Sequence, residues 1–287
     1  MESIYPHVMK KISAAFDGLK FSEGTLTYAI KLAESSKALL SGVFLESFLY
    51  HSYGIYDMVG SQGVSEVKMK RLRENDEETR RIAAAAFESA CKKDGISYTI
   101  HHDRNFALPE LLKESIYSDL VLIGADENMS HINEKAPTDF IRDFLAETQS
   151  PVLIVSRQYH EIEKVVLLYD GKPSSVHAIK MFNYMLPWMC DKEAEIISVT
   201  DPKEARELPD ANLVREFIQC HYPKAVYTLL QGDPEEEILD HLKNITQNAL
   251  IVLGAYQRGN VSRWFKTSMA DLLMKNTGRP LFIAHQK

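Results

Sequence analysis

Short, nearly continuous apolar runs alternate along this chain with stretches in which apolar residues return every three or four positions. The run Lys11–Phe16 ends in Asp17 and Gly18, and Leu26, Ala29, Ile30 and Ala33 follow at helical spacing. The run Val165–Tyr169 ends in Asp170 and Gly171, and Val176, Ile179, Phe182 and Leu186 follow in the same way. Each pattern predicts a buried strand leading into an amphipathic helix.

The match continues in order. Ser97–Ile100 answers Val226–Leu229, Leu120–Ala125 answers Leu250–Ala255, and Ser150–Val155 answers Arg279–Ala284. Thr138 answers Thr267 as a helix start, and Leu39–Leu45 or Glu195–Val199 supplies the second strand of each copy. Correspondences that keep one order make the chain an internal repeat. Apolar strands separated by helices imply parallel sheets covered on both faces. The predicted fold class is therefore α/β, with two tandem open parallel-sheet domains, Rossmann-like and five-stranded, over residues 1–157 and 163–287. The first copy carries an insertion at 48–66, where Tyr50, Tyr53 and Tyr56 suggest a partly packed surface loop. A longer helix follows to Lys93, and its densely charged part, Glu66–Arg81, reads as a solvated face.

Composition narrows the class. Of 287 residues, 45% are hydrophobic and 25% charged, the balance of a soluble globular protein. A net charge of -7 argues against bulk nucleic-acid binding, which leaves a basic footprint. Neither a signal-like apolar core in Met1–Lys10 nor a membrane-length run is present, so no membrane association is expected. Cys91, Cys190 and Cys220 are far apart, which fits reduced thiols and a cytoplasmic location.

In open parallel sheets ligands bind beyond the carboxyl ends of the strands, where the strand order reverses. In the second copy this rule places Asp170 and Gly254 on one crevice. The segment after Gly254 carries Arg258, Gly259, Arg263 and Lys266 and no acidic residue before Thr267 and Ser268. Either hydroxyl residue suits a helix N-cap, and the amides of a helix start attract anions. The matching segment of the first copy holds Asp126, Glu127, Glu134 and Asp139 against Lys135, and would repel a phosphate. There Asp139 stands in the place of Ser268 and is expected to satisfy the helix start internally. His101 and His102 invite a metal reading with Asp103 and His131, but adjacent strand residues point to opposite faces. No metal is predicted from them.

These residues resemble the universal stress protein family in its tandem two-domain form, across nearly the whole chain. The Asp-Gly strand ends and the stretch Gly232–Leu239 followed by Ala249–Gly254 carry the likeness. Family members that bind ATP have a loop G-x2-G-x9-G-[ST]. Gly254 and Ser268 match its ends, whereas Gln257 and Thr267 stand at its second and third glycines and Gly259 lies nearby. The resemblance implies that Asp170 and Val199 flank the adenine and ribose of ATP or another adenine nucleotide, with magnesium only as the nucleotide's companion. It also implies an internal pseudo-dimer in which Val152–Val155 and Leu281–Ala284 pair edge to edge, and a homodimer of chains beyond it.

The expected function is a stress-response binding or sensing protein, not a catalyst, with a nucleotide in the second domain and a protein partner of unknown kind. Two alternatives stand beside it: a non-nucleotide-binding scaffold of the same fold, and a slow ATP hydrolase. No G-x-S-x-G, GxxxxGK[ST] or H-E-x-x-H motif is present.

Overall fold

The computed structural model describes residues 9–46, 51, 59–60, 63–64, 66–103, 105–130, 134–203, 207–254 and 269–284. They group into two compact units, one of them Lys10–Thr148 and the other running on from Gln149.

The first unit contains β1 (Lys11–Phe16), α1 (Glu23–Ser36), β2 (Leu39–Leu45) and a short hairpin of β3 (Val59–Gly60) and β4 (Gly63–Val64). There follow α2 (Glu66–Lys93), β5 (Tyr98–Asp103), α3 (Ala107–Ile116), β6 (Leu120–Gly124) and α4 (Asp139–Glu147). The sheet runs β5-β2-β1-β6, all parallel. Ile12, Ala14, Leu40, Val43 and Leu120–Ile123 are fully buried, as expected of strands covered on both faces. The Ser22 hydroxyl accepts the Thr25 amide at 3.2 Å and starts α1. The ring tip of Phe87 of α2 points at β2, so that a β-carbon at Gly42 would stand 2.7 Å from its Cζ.

The second unit contains β7 (Val152–Val155), β8 (Lys164–Leu168), α5 (Pro173–Met185) and a 3-10 turn at Pro187–Asp191. Next come β9 (Glu193–Thr200), α6 (Ala211–Gln219), β10 (Val226–Gln231), α7 (Pro234–Lys243), β11 (Ala249–Gly254), α8 (Met269–Thr277) and β12 (Leu281–Ala284). Strands β10-β9-β8-β11-β12 are parallel. Helix α7 opens on Pro234, and the Asp233 carboxylate accepts the amides of Glu235 and Glu236.

The edge pairing expected of Val152–Val155 forms: Ile154 stands opposite Leu281 and Val152 opposite Ile283, antiparallel. Because β7 pairs with β12, it groups with the second unit, and the compact units divide at Thr148 and Gln149. The polar link at 157–163 marks the repeat in the sequence, one strand later.

In each unit the strand order reverses beside the first strand of the repeat, between β1 and β6 and between β8 and β11. That is where Asp17 and Asp170 lie.

Candidate functional site

Strand β8 ends just short of Asp170. Leu168 pairs with Ile197, so Asp170 and Val199, each two residues further on, reach the same level. The Asp170 carboxylate accepts the Lys172 amide at 3.0 Å, and the Lys172 ammonium sits 3.3 Å from its other oxygen. Its side chain is 51% exposed. Partial burial pushes its pKa upward, but hydrogen bonds from Ser175 and Lys172 outweigh that and hold it below the ordinary range. An ionised carboxylate thus stands open at the switch point, beside the half-buried Val199 and the end of β11 at Gly254.

Asp17 in the first unit is fully buried. It accepts the amides of Leu19 at 2.8 Å and Lys20 at 3.2 Å, and so closes the turn after β1. The Lys20 ammonium reaches the segment after β6, donating to the Ser130 carbonyl at 2.6 Å and approaching Asn128 at 3.4 Å. Glu127 is buried in the same segment, and its carbonyl accepts the Thr138 hydroxyl at 2.5 Å. The Thr138 oxygen in turn caps α4 by accepting the Ile141 amide. The helix start is therefore satisfied by Thr138, not Asp139, which is exposed and pairs with Arg142 at 2.7 Å. Thr138 prevails because its shorter side chain precedes the first helical residue, the position from which an oxygen reaches those amides.

The two Asp-Gly turns are covered differently. At Gly18 an added β-carbon would lie 3.1 Å from Arg80 of α2, and at Gly171 it would lie 2.6 Å from Pro209. Gly171 also has φ +78, a conformation that favours glycine. Around the first turn Phe16, Phe21 and Phe44 stack with centroids 5.1 to 6.3 Å apart, and His102 lies on Phe44 at 5.7 Å. Strand register places Ser198 and Thr200 of β9 where the first unit has Phe44 and Glu46. Both hydroxyls are buried without a hydrogen-bond partner among the described residues. The second unit thus carries two small hydroxyl residues where the first has an aromatic ring and a carboxylate, a difference visible in the sequence only once the strand register is known.

Gly254 has a packing role of its own. A β-carbon there would stand 2.6 Å from the carbonyl group of Ser174. Arg258, Gly259, Arg263, Thr267 and Ser268 lie outside the described residues, as do Gln257, Lys266, His131, Tyr50, Tyr53 and Tyr56. Of the residues selected from the sequence, the structure brings together Asp170, Val199 and Gly254.

His101 and His102 do point apart. The first contacts Glu114 at 2.7 Å and the second Glu46 at 2.9 Å. Among the described residues no three His, Cys, Asp or Glu side chains converge as a metal site. Burial pushes the Cys91 thiol up to about 11 and raises Cys190 as well, which makes both poor nucleophiles. The charged stretch of α2 has one buried member, Asp76, which lies 3.5 Å from His51. No helix among the described residues is long and apolar enough to cross a membrane.

No protein-family profile matches the chain, and no curated protein matches its sequence. Solved structures do match it. A universal stress protein from Archaeoglobus fulgidus DSM 4304 superposes with a TM-score of 0.68 at 14% identity, over 96% of this chain and 98% of that one. A functionally unknown protein from Pseudomonas aeruginosa PAO1 gives 0.65 at 11% identity, over 97% and 93% of the two chains. A candidate universal stress protein from P. aeruginosa UCBPP-PA14 gives 0.63 at 11%, over 97% and 94%. The chain has the fold of tandem universal stress proteins along nearly its whole length.

Proposed function

We propose that the chain is a binding or sensing module of the stress-response class, and that its ligand, an adenine nucleotide, is held by the second unit. The observation that carries this reading is the contrast between the two acids at the switch points. Asp170 is ionised and half exposed, while Asp17 is buried and spent on its own turn. A nucleotide fits the residues present to this extent: the Asp170 carboxylate can accept from ribose hydroxyls, and Val199 offers an apolar flank to a base. The basic segment from Arg258 to Ser268 supplies charge for phosphates.

A second reading, a scaffold that binds no nucleotide, draws support from Gly254. Its missing side chain is accounted for by the approach to Ser174, with no phosphate needed.

Thermal unfolding with and without ATP and magnesium, on wild type and Ser268→Asp, separates the two. A ligand at 100 times its dissociation constant stabilises the native state by about 2.7 kcal/mol, enough to move a midpoint by a few degrees. A shift in wild type that the variant loses supports the sensor. Unchanged midpoints at millimolar nucleotide support the scaffold.

A further inference from the structure

Away from the switch points, each unit joins a lysine, a glutamate and a histidine near the amino ends of its strands, with the acid on a strand in one unit and on a helix in the other. In the second unit Glu195 of β9 is 4% exposed. Its carboxylate receives the Lys164 ammonium of β8 at 2.6 Å, the Thr228 hydroxyl of β10 at 2.6 Å and His241 of α7 at 2.7 Å. In the first unit the acid is on the helix. Glu114 of α3 meets His101 of β5 at 2.7 Å and Lys11 of β1 at 3.6 Å, and the Ser41 hydroxyl of β2 lies 3.5 Å from His101.

The equivalence of these positions follows from register. Lys11 pairs with Leu39 and Lys164 with Glu193, which puts Ser41 where Glu195 stands. Ser41 pairs with Thr99 and Glu195 with Val226, which puts His101 where Thr228 stands. Glu114 and His241 occupy the same place in two ten-residue helices that begin at Ala107 and Pro234. Lysine stands on β1 and β8, the first strand of each repeat. Strand and helix have traded the acid and the imidazole, yet a carboxylate–imidazole contact of 2.7 Å is made in both units.

We propose that this Lys–Glu–His cluster fastens the helix leading into the Gly124 or Gly254 strand to its sheet, and that in the second unit it is an acid-released clasp. A mere filler would not need a carboxylate–imidazole contact rebuilt from different residues at three corresponding positions. In the second unit the clasp governs α7, which runs directly into β11 and the segment beyond Gly254. Burial works against ionisation of Glu195, and its bonds from Lys164, Thr228 and His241 overcome this and keep its pKa low. The charged groups toward this face are Lys164 from β8, Glu193 and Glu195 from β9, His241 from α7 and Arg279 after α8. Thr228 is the neutral contact from β10. The clasp is closed while the carboxylate is charged and opens when it takes a proton.

Hydrogen exchange of the full chain, read as protection factors in α7 and α5 at neutral pH and at a pH below the ordinary glutamate range, tests this. The clasp predicts that α7 loses protection on acidification by about tenfold more than α5, the scale of a hydrogen bond to a charged group. E195Q lowers α7 protection at neutral pH and removes most of that difference. The triple exchange Glu195→Ser, Thr228→His and His241→Glu, which installs the first unit's arrangement, restores α7 protection at neutral pH. Parallel protection of α7 and α5 at both pH values in wild type overturns the proposal. So does a triple exchange that folds with α7 no better protected than in E195Q.

Discussion

Gly254 and Ser174 meet backbone to backbone: a β-carbon on the glycine would fall 2.6 Å from the serine carbonyl, and 2.9 Å from the next amide. Neither atom belongs to a side chain that can turn away. Gly254→Ala should therefore destabilise the second unit by about 1–3 kcal/mol, with or without nucleotide. At Gly124 the nearest atoms are side-chain atoms of Glu127, Thr25 and Asp126 at 3.3 to 3.4 Å, so Gly124→Ala should cost less. Denaturant titration of both variants measures the difference.

Arg279 closes the end of α7. Its guanidinium donates to the carbonyls of Gln247 at 2.7 Å, Ile245 at 2.5 Å and Leu242 at 3.4 Å. Burial lowers its pKa, but an arginine stays charged at any ordinary pH. Arg279→Ala should lower stability by roughly 1.5–3 kcal/mol. Arg279→Lys should recover only part of this, because an ammonium cannot span three carbonyls as a planar fork does. Midpoints of chemical unfolding for the two variants test both statements.

Asp103 answers pH in the opposite sense to Glu195. Burial, then Glu110 and Glu114, raises its pKa above 3.8, while His101 and Lys113 pull the other way. An acid with a raised folded pKa favours the protonated folded state. Its contribution is complete below the unfolded value and is lost as pH rises through the folded one. Asp103→Asn should therefore stabilise the first unit at neutral pH, and the gain should vanish at acid pH. A stability–pH curve of the variant against wild type shows the crossing.

Lys20 holds the segment after β6 through the Ser130 carbonyl at 2.6 Å. Lys20→Met should speed hydrogen exchange at Asp126–Ser130 and leave the second unit's rates unchanged. No nucleotide affinity should appear, since the charges of Asp126 and Glu127 would still oppose phosphates.

The repeat and its alternation of strand and helix were legible because periodicity is local. Lys11–Phe16 and Lys164–Leu168 announce buried strands, and Thr138 announces a helix start. The grouping of Val152–Val155 with the second unit was less legible, because the strand's apolar pattern says nothing about which edge it will meet. Asp170 and Asp17 look alike in sequence. Only the folded chain shows one exposed and the other consumed by Leu19 and Lys20. The Lys–Glu–His clusters are hidden in the sequence for a similar reason. Glu195 and His241 are separated by a helix and a strand, and their partnership depends on register across three strands.

Photolabelling with an azido-adenine analogue of ATP, followed by peptide mass mapping, tests the central claim most directly. The account predicts label in peptides around Asp170 and Val199–Asp201, displaced by excess ATP and absent in Asp170→Ala. Displaceable label around Asp17 or Leu45 instead, or none at millimolar analogue, would contradict it.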